Sequence, residues 1–311
     1  MNFAFTDDQL ALAATVRDVL RAHCPPHALR AERAPGWAEL AATGFFAALV
    51  PDAAGGLGLE LIDLVPALEE TGRACLPGPV VETAVAAPYL LEGRSELTKL
   101  GALTVSAARD GLAPDADLAD LVVAGPRVAT RDRVRLAPAP GADPCRRMFE
   151  VSLTGSEELP GSWAAALPRA TVATAAQLIG VARHLLDTSV GYARARTQFG
   201  GPIGAFQAVK HMLADVAIAI EFAAPLVSRA ALTLERPSAV RDVSAAKAAA
   251  GEAAALAART ALQVHGAIGY TYELDLRFWL ARAWSLSAAY GGAAEHRAIV
   301  RAELPGAARF P

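Results

Sequence analysis

Apolar and polar positions alternate along this chain in two rhythms, one helical and one extended. Near the start, Thr6 and Gln9 stand three apart ahead of an apolar run. That is the signature of a capping box, with Phe5 and Leu10 placed to staple across it. The spacing predicts a helix as far as His23, stopped by Pro25 and Pro26. Further helices are expected over 37–50 and 61–73, separated by the glycine-rich loop 51–58. Between 99 and 162 the rhythm changes. Short apolar runs at 102–107, 121–124, 134–136 and 149–153 are punctuated by Pro, Gly and Asp, as in a small sheet. From residue 164 the helical period returns. Val209, Met212, Leu213, Val216, Ile220, Ala223 and Val227 form one stripe, with Pro225 placed to kink it. An Ala-rich helix is expected over 244–264. The pattern therefore predicts a mainly α protein in three parts: a helical segment over 1–98, a reduced β-domain over 99–162 and a helical bundle over 163–311.

Composition narrows the classes. With 53% hydrophobic residues and mean hydropathy +0.30, the chain can bury a large core. Its 29 Lys and Arg against 32 Asp and Glu give a net charge of −3, a poor match to nucleic acid or an anionic membrane surface. Asp7 and Asp8 precede any basic residue, which is wrong for a signal peptide. The apolar helix over 211–234 contains Asp215, Glu221 and Arg229, so no membrane span is expected. Cys24, Cys75 and Cys145 are odd in number and far apart in sequence, the pattern of reduced thiols in a cytoplasmic protein. The run His23-Cys24-Pro25-Pro26-His27 lacks a second ligand cluster, so no metal site is expected.

Four stretches carry candidate chemistry. Gly55-Gly56-Leu57-Gly58 lacks the spacing and the strand–helix context of a dinucleotide loop and reads as a turn. The stretch 194–203, RARTQFGGPI, places cations, an amide, an aromatic ring and glycines at a helix end. It can hold a phosphate-bearing ligand or simply offset the helix dipole. The stretch 263–273, QVHGAIGYTYE, lets backbone approach a ligand or merely ends a helix, with His265 either packed or functional. Finally, AYGGAAEHRAIV at 289–300 interrupts a helical region with two glycines, each costing roughly 1 kcal/mol in a helix interior.

These stretches, with FAFTDDQ at 3–9 and VPDAAGGLGLEL at 50–61, occur in an order and at separations that resemble the acyl-CoA dehydrogenase family. The resemblance covers 1–95 and 164–302. It implies an N-terminal helical domain, a middle β-domain and a C-terminal four-helix bundle. It also implies FAD as cofactor and α,β-dehydrogenation of an acyl-CoA thioester. In the family a carboxylate takes the α proton, a hydride leaves the β carbon, and the flavin lies at a subunit interface. Carried onto this sequence, the FAD-edge residues are Arg196, Gln198, Phe199, Gln263 and Gly266, with Arg196 at the pyrophosphate. Ala267 stands where the family has a second glycine.

The sequence departs from the family twice. No T-E-P-x-x-G-S-D-like loop or following Trp-bearing strand, the features that cover the flavin, occurs between 100 and 160. Trp163 stands beyond the expected sheet. The family's two places for the catalytic base fall on Tyr290 and Ala170, and neither is acidic. A phenol of ordinary pKa near 10 is a poor base at neutral pH. Glu295, one turn onward, reads as a solvated helix residue. The resemblance therefore implies a non-catalytic subunit of a heteromeric dehydrogenase. It would pair with a full-length homologue as an α2β2 tetramer with two FAD, acting on an acyl-CoA that includes bulky or steroid-derived ones. The alternatives are a self-sufficient homo-oligomer with an unusual base, and a flavin-free scaffold.

Overall fold

The structure, a computed structural model, describes residues 4–304. Phe3 of the first motif and the end of the C-terminal segment lie outside that span. Helix α1 (Asp7–His23) begins at the expected capping box, with Thr6 and Gln9 each bonding the other's backbone N–H. Leu10 is half exposed, and Phe5 packs on the core. The predicted second helix is shorter than its apolar period suggests. It is α2 (Trp37–Ala42), followed by a 3₁₀ turn at Phe45–Ala47. Gly44, at φ 83° between them, takes a left-handed conformation that ends the helix and turns Phe45 and Phe46 into the core. Helix α3 (Leu61–Arg73) has the predicted bounds, capped by Glu60 and Asp63. A π-helical turn at Glu82–Ala86 leads into α4 (Ala87–Leu90).

Seven short strands follow: β1 (Val105–Ala108), β2 (Leu112–Pro114), β3 (Leu121–Ala124), β4 (Arg127–Thr130), β5 (Val134–Ala139), β6 (Met148–Leu153) and β7 (Glu157–Glu158). They form a β1-β3-β4-β7 sheet, in which β1 and β3 are parallel, and a β2-β6-β5 antiparallel sheet. The expected apolar runs correspond to β1, β3, β5 and β6. Strands β2 and β4 were not expected, because three or four residues interrupted by Pro or Arg carry no period. A separate small core, built mostly of alanine with Val122, Val134 and Phe149, lies under these sheets.

The last part is built on α5 (Trp163–Ala195), α6 (Gln207–Leu232) and α7 (Ala239–His265), closed by α8 (Leu276–Ala288) and α9 (Ala293–Ala302). The hairpin β8 (Thr197–Gln198) and β9 (Gly201–Pro202) joins α5 to α6. Small residues let α3 and α5 meet backbone to backbone. Gly72 faces Gln177, Gly180 faces Glu69, and Gln177 Nε2 donates to Thr71 Oγ1 at 3.0 Å. Helix α6 runs unbroken through Pro225. By length and composition α5 and α6 are both apolar enough to cross a membrane, which the sequence reading did not expect. In α5, 72% of the apolar window is buried within the protein itself; in α6 only 28% is.

One buried group ties the three parts together. Arg282 on α8 donates to Asp143 at 2.5 Å, to the Leu76 carbonyl at 2.8 Å and to the Cys145 carbonyl at 3.0 Å. The three cysteines, distant in sequence, converge around it. All are buried and unpaired. Burial pushes the Cys24 thiol up to about 12 and that of Cys145 to about 11, so these thiols stay protonated at neutral pH.

Candidate functional site

The candidate residues separate into an outward edge and an inward turn. The edge forms where α5 and α7 end side by side. The Tyr192 ring stacks on His265 with centroids 4.3 Å apart, and His265 Nδ1 lies 2.8 Å from the Ala261 carbonyl oxygen. His265 is thus a packing residue, and burial holds its pKa below the usual imidazole value. This stack brings the segment after α5 and the segment ending α7 to one end of the bundle. Arg196, Gln198, Phe199, Gln263 and Gly266 are all exposed there. Among the described residues no side-chain hydrogen bond or ion pair engages Arg196, Gln198 or Gln263.

Phe199 and Gly200 form the two-residue turn between β8 and β9, at φ 52° and 86°. Both central residues of such a turn need positive φ, which glycine takes freely and a bulky side chain resists. Phe199 nonetheless occupies it and is 93% exposed, with Phe206 edge-on at 6.2 Å. Strain that lifts an aromatic ring into solvent is a mark of a contact surface rather than of folding. Gly266, at φ 63°, has nothing within 4 Å of where a side chain would begin, so another molecule can approach its backbone. Guanidinium, two amides, a ring face and open backbone suit a phosphate-bearing, ring-bearing ligand. The exposed face continues along α6, where Phe222 is 78% exposed and Ile218 is exposed beside it.

The turn after α8 is the reverse. Tyr290, at φ 56°, is buried, and its hydroxyl donates to Glu82 Oε1 at 2.8 Å. Lys247 Nζ donates to the carbonyls of Ser287 at 3.0 Å and Gly291 at 2.9 Å. His296 Nε2 lies 2.9 Å from the Tyr290 carbonyl oxygen. Burial, then the neighbouring Glu82, pushes the Tyr290 phenol well above its usual value, which removes it as a base. Burial likewise raises Glu82, opposed by Arg146 at 3.9 Å and by the Tyr290 bond. Ala170, the other base position, is fully buried in α5. Glu295 is exposed. The sequence reading missed Glu82. The signal was there: a lone acid inside the apolar run 80–88. Trp163 also has company that was not expected, since its Nε1 donates to the Gly125 carbonyl at 2.6 Å in the turn between β3 and β4.

Comparison with known proteins places this geometry. Residues 6–103 match the acyl-CoA dehydrogenase N-terminal domain and residues 163–304 the acyl-CoA dehydrogenase C-terminal domain. The chain is 32% identical to acyl-CoA dehydrogenase IpdE2 of Mycobacterium tuberculosis, over 89% of this chain and 91% of the relative. It is 31% identical to IpdE2 of Mycolicibacterium smegmatis, over 96% and 99%. Among solved structures it shares the fold of a chain of the ChsE4-ChsE5 complex from Mycobacterium tuberculosis, with a TM-score of 0.84 at 23% identity, covering 98% of this chain and all of that one. A chain of the Tcur3481-Tcur3483 steroid ACAD aligns with a TM-score of 0.83 at 26% identity, covering 94% and 96%. This chain belongs to the acyl-CoA dehydrogenase family, FAD-dependent oxidoreductases that act on the CH–CH bond of acyl-CoA thioesters.

Proposed function

We propose that the chain is the flavin-edge subunit of a heteromeric acyl-CoA dehydrogenase. It assembles with a full-length homologue as an α2β2 tetramer holding two FAD in the cytoplasm. One observation carries the reading: the five candidate FAD residues are all exposed and, among the described residues, the side chains of Arg196, Gln198 and Gln263 make no hydrogen bond or ion pair, while the turn that bears the family's base is closed on itself and carries no acid. An edge of this kind serves a cofactor held chiefly by another chain.

FAD, when bound, supplies the hydride acceptor. Arg196 gives the pyrophosphate a charge-assisted donor, the strongest class of hydrogen bond available at an exposed edge. The amides of Gln198 and Gln263 add neutral donors, and Gly266 lets backbone come close. Phe199 offers a ring face. Phe222, Ile218 and the rest of the exposed α6 face supply apolar area for assembly. The acyl group is bulky, and the likeness to a chain of the Tcur3481-Tcur3483 steroid ACAD supports a steroid-derived thioester. The partner contributes the flavin-covering loop and the proton-accepting carboxylate.

The test is flavin absorbance and native mass, measured on the chain alone and co-expressed with a full-length homologue. The expected result is a colourless chain and a yellow heterotetramer with two FAD. One FAD per chain in the chain alone overturns the reading in favour of a self-sufficient enzyme. A tetramer whose flavin content ignores Arg196→Ala makes the chain a scaffold.

A further inference from the structure

A cavity of about 370 Å³ opens where the N-terminal part, the small sheet and α8 come together. No residue of the flavin edge or of the turn after α8 lines it. Four arginines do. Arg30 and Arg33 follow the end of α1, Arg147 precedes β6, and Arg277 is the second residue of α8. The remaining wall is largely apolar, with Leu29, Pro77, Pro144 and Phe278. The volume falls within the range of small-molecule sites.

Three of the four guanidinium groups have an acid. Arg30 Nε donates to Asp275 at 2.6 Å. Arg33 Nη2 donates to Asp115 at 3.1 Å and to Asp117 at 2.9 Å, and Arg147 Nη1 lies 3.5 Å from Asp117. None of these three acids lines the cavity; Glu32, which is exposed, does. Arg277 differs. Among the described residues no hydrogen bond or ion pair engages its side chain, and its guanidinium is flanked only by the rings of Tyr272 at 4.7 Å and Phe278 at 4.5 Å. It stands in the first turn of α8, the positive end of the helix dipole, where a cation is disfavoured, and no side chain caps that end.

Two nitrogens sharpen this. Arg277 Nε and Arg33 Nε are both buried without a partner. Asp115 Oδ2 is buried and unpartnered as well, but Asp115 does not line the cavity. A buried donor left open costs stability, and two at one cavity call for an acceptor that the chain does not supply. An oxyanion engages Nε and Nη together along one edge of a guanidinium. A carboxylate is filled by one such edge, whereas a tetrahedral dianion has oxygens for two. A phosphate alone would leave most of the volume empty, and the apolar wall suits a carbon body attached to it.

We propose that this cavity binds a small organic phosphate monoester, whose oxygens accept from the Nε edges of Arg277 and Arg33 and whose carbon body lies on the apolar wall. Every lining group belongs to this chain, so the site needs no partner.

The probes are phenyl phosphate, inorganic phosphate and benzoate, titrated calorimetrically into the full chain at low ionic strength. Phenyl phosphate is expected to bind saturably and at least about tenfold tighter than benzoate, the factor for one more charge-assisted hydrogen bond. Inorganic phosphate, which lacks the ring, binds more weakly than phenyl phosphate. Arg277→Gln should weaken phenyl phosphate about tenfold or more without lowering the melting temperature, since no ion pair is lost. Arg277→Lys, which keeps the charge but not the fork, falls between. Ala31→Trp fills the cavity from an exposed position and should abolish binding. If Arg277→Gln does not fold, the probe series and Ala31→Trp still decide. Coenzyme A and FAD carry phosphates of their own and serve as competitors. Neither should displace phenyl phosphate. The proposal is overturned if phenyl phosphate does not bind saturably, if benzoate or inorganic phosphate binds as well, if Arg277→Gln or Ala31→Trp binds like the parent chain, or if coenzyme A or FAD displaces the probe. None of these outcomes bears on the flavin content of the heterotetramer.

Discussion

Two regions of the helical bundle, both read from sequence as family motifs, have opposite physical characters. At the ends of α5 and α7 the side chains of Arg196, Gln198 and Gln263 are exposed and, among the described residues, make no side-chain hydrogen bond or ion pair. At the turn between α8 and α9 the polar contacts are internal, Tyr290 to Glu82, Lys247 to Ser287 and Gly291, His296 to Tyr290, and of these groups His296 Nδ1 alone is buried without a partner among the described residues. A motif therefore does not say whether its residues serve the chain itself or another molecule. Satisfaction does. A group whose hydrogen bonds are complete is structural; one left open at the surface in a strained conformation is kept for something else.

The largest expected effect lies on the inward side. Asp143→Ala strips the buried Arg282 of its carboxylate, leaving an uncompensated charge under all three parts of the molecule. Breaking a buried pair from one side costs about 3–5 kcal/mol. Urea unfolding should show the midpoint collapse. A loss below about 1 kcal/mol would mean that Arg282 is solvated, and that the inward region is looser than its hydrogen bonds imply.

Next comes acid sensitivity. The His184 ring stacks on Trp279 with centroids 3.7 Å apart, and burial, then Arg73, depresses its pKa to about 3. The unfolded chain takes up that proton near pH 6.5 and the folded chain resists it. The stability contributed by neutral His184 is complete above about pH 6.5 and is lost as the pH falls toward 3. Through that window the loss approaches about 1.4 kcal/mol per pH unit. His184→Phe keeps the stack and removes the titration. Its stability should fall less steeply between pH 6 and 4, which denaturant titrations at several pH values would measure. Equal slopes would place the acid response elsewhere.

Much of this was legible in the sequence, and the failures share a cause. The bounds of α3 and the capping box of α1 depend on local groups, and they came out as read. Arg196, Gln198, Phe199, Gln263 and Gly266 were carried over from the family resemblance, and all five are exposed at two helix ends. What was not legible needed long-range proximity. Glu82 meets Tyr290 across 208 residues, and Arg282 meets Asp143 across 139. The three cysteines looked unrelated for the same reason. Strands β2 and β4 are too short to show a period, and their pairing is set by neighbours rather than by their own residues.

A change at Arg196 should divide the two regions cleanly. Arg196→Ala removes an exposed, unpaired guanidinium, so the chain's own stability should stay within about 0.5 kcal/mol of the parent. In the heterotetramer the same change should weaken FAD retention about tenfold or more, the loss of one charge-assisted bond. Flavin released on dilution, followed by its fluorescence, measures this. A destabilised chain with unchanged flavin would reverse the assignment of outward and inward.

The smallest effect is the most telling, because its sign differs between the chain and the complex. Phe199 sits at φ 52° with its ring almost wholly in solvent, so within the chain it contributes strain and little packing. Phe199→Gly places at that position the residue the turn prefers. The isolated chain should gain up to about 1 kcal/mol, from relief of the left-handed strain offset by the freedom glycine adds to the unfolded state. If the ring is presented to FAD and the partner, the same substitution must weaken the heterotetramer, seen as earlier dissociation in a native-mass dilution series. Stabilising the subunit while loosening the assembly is an outcome that no purely structural role for Phe199 can produce. A variant that leaves the assembly intact would show that the strained turn serves neither flavin nor partner.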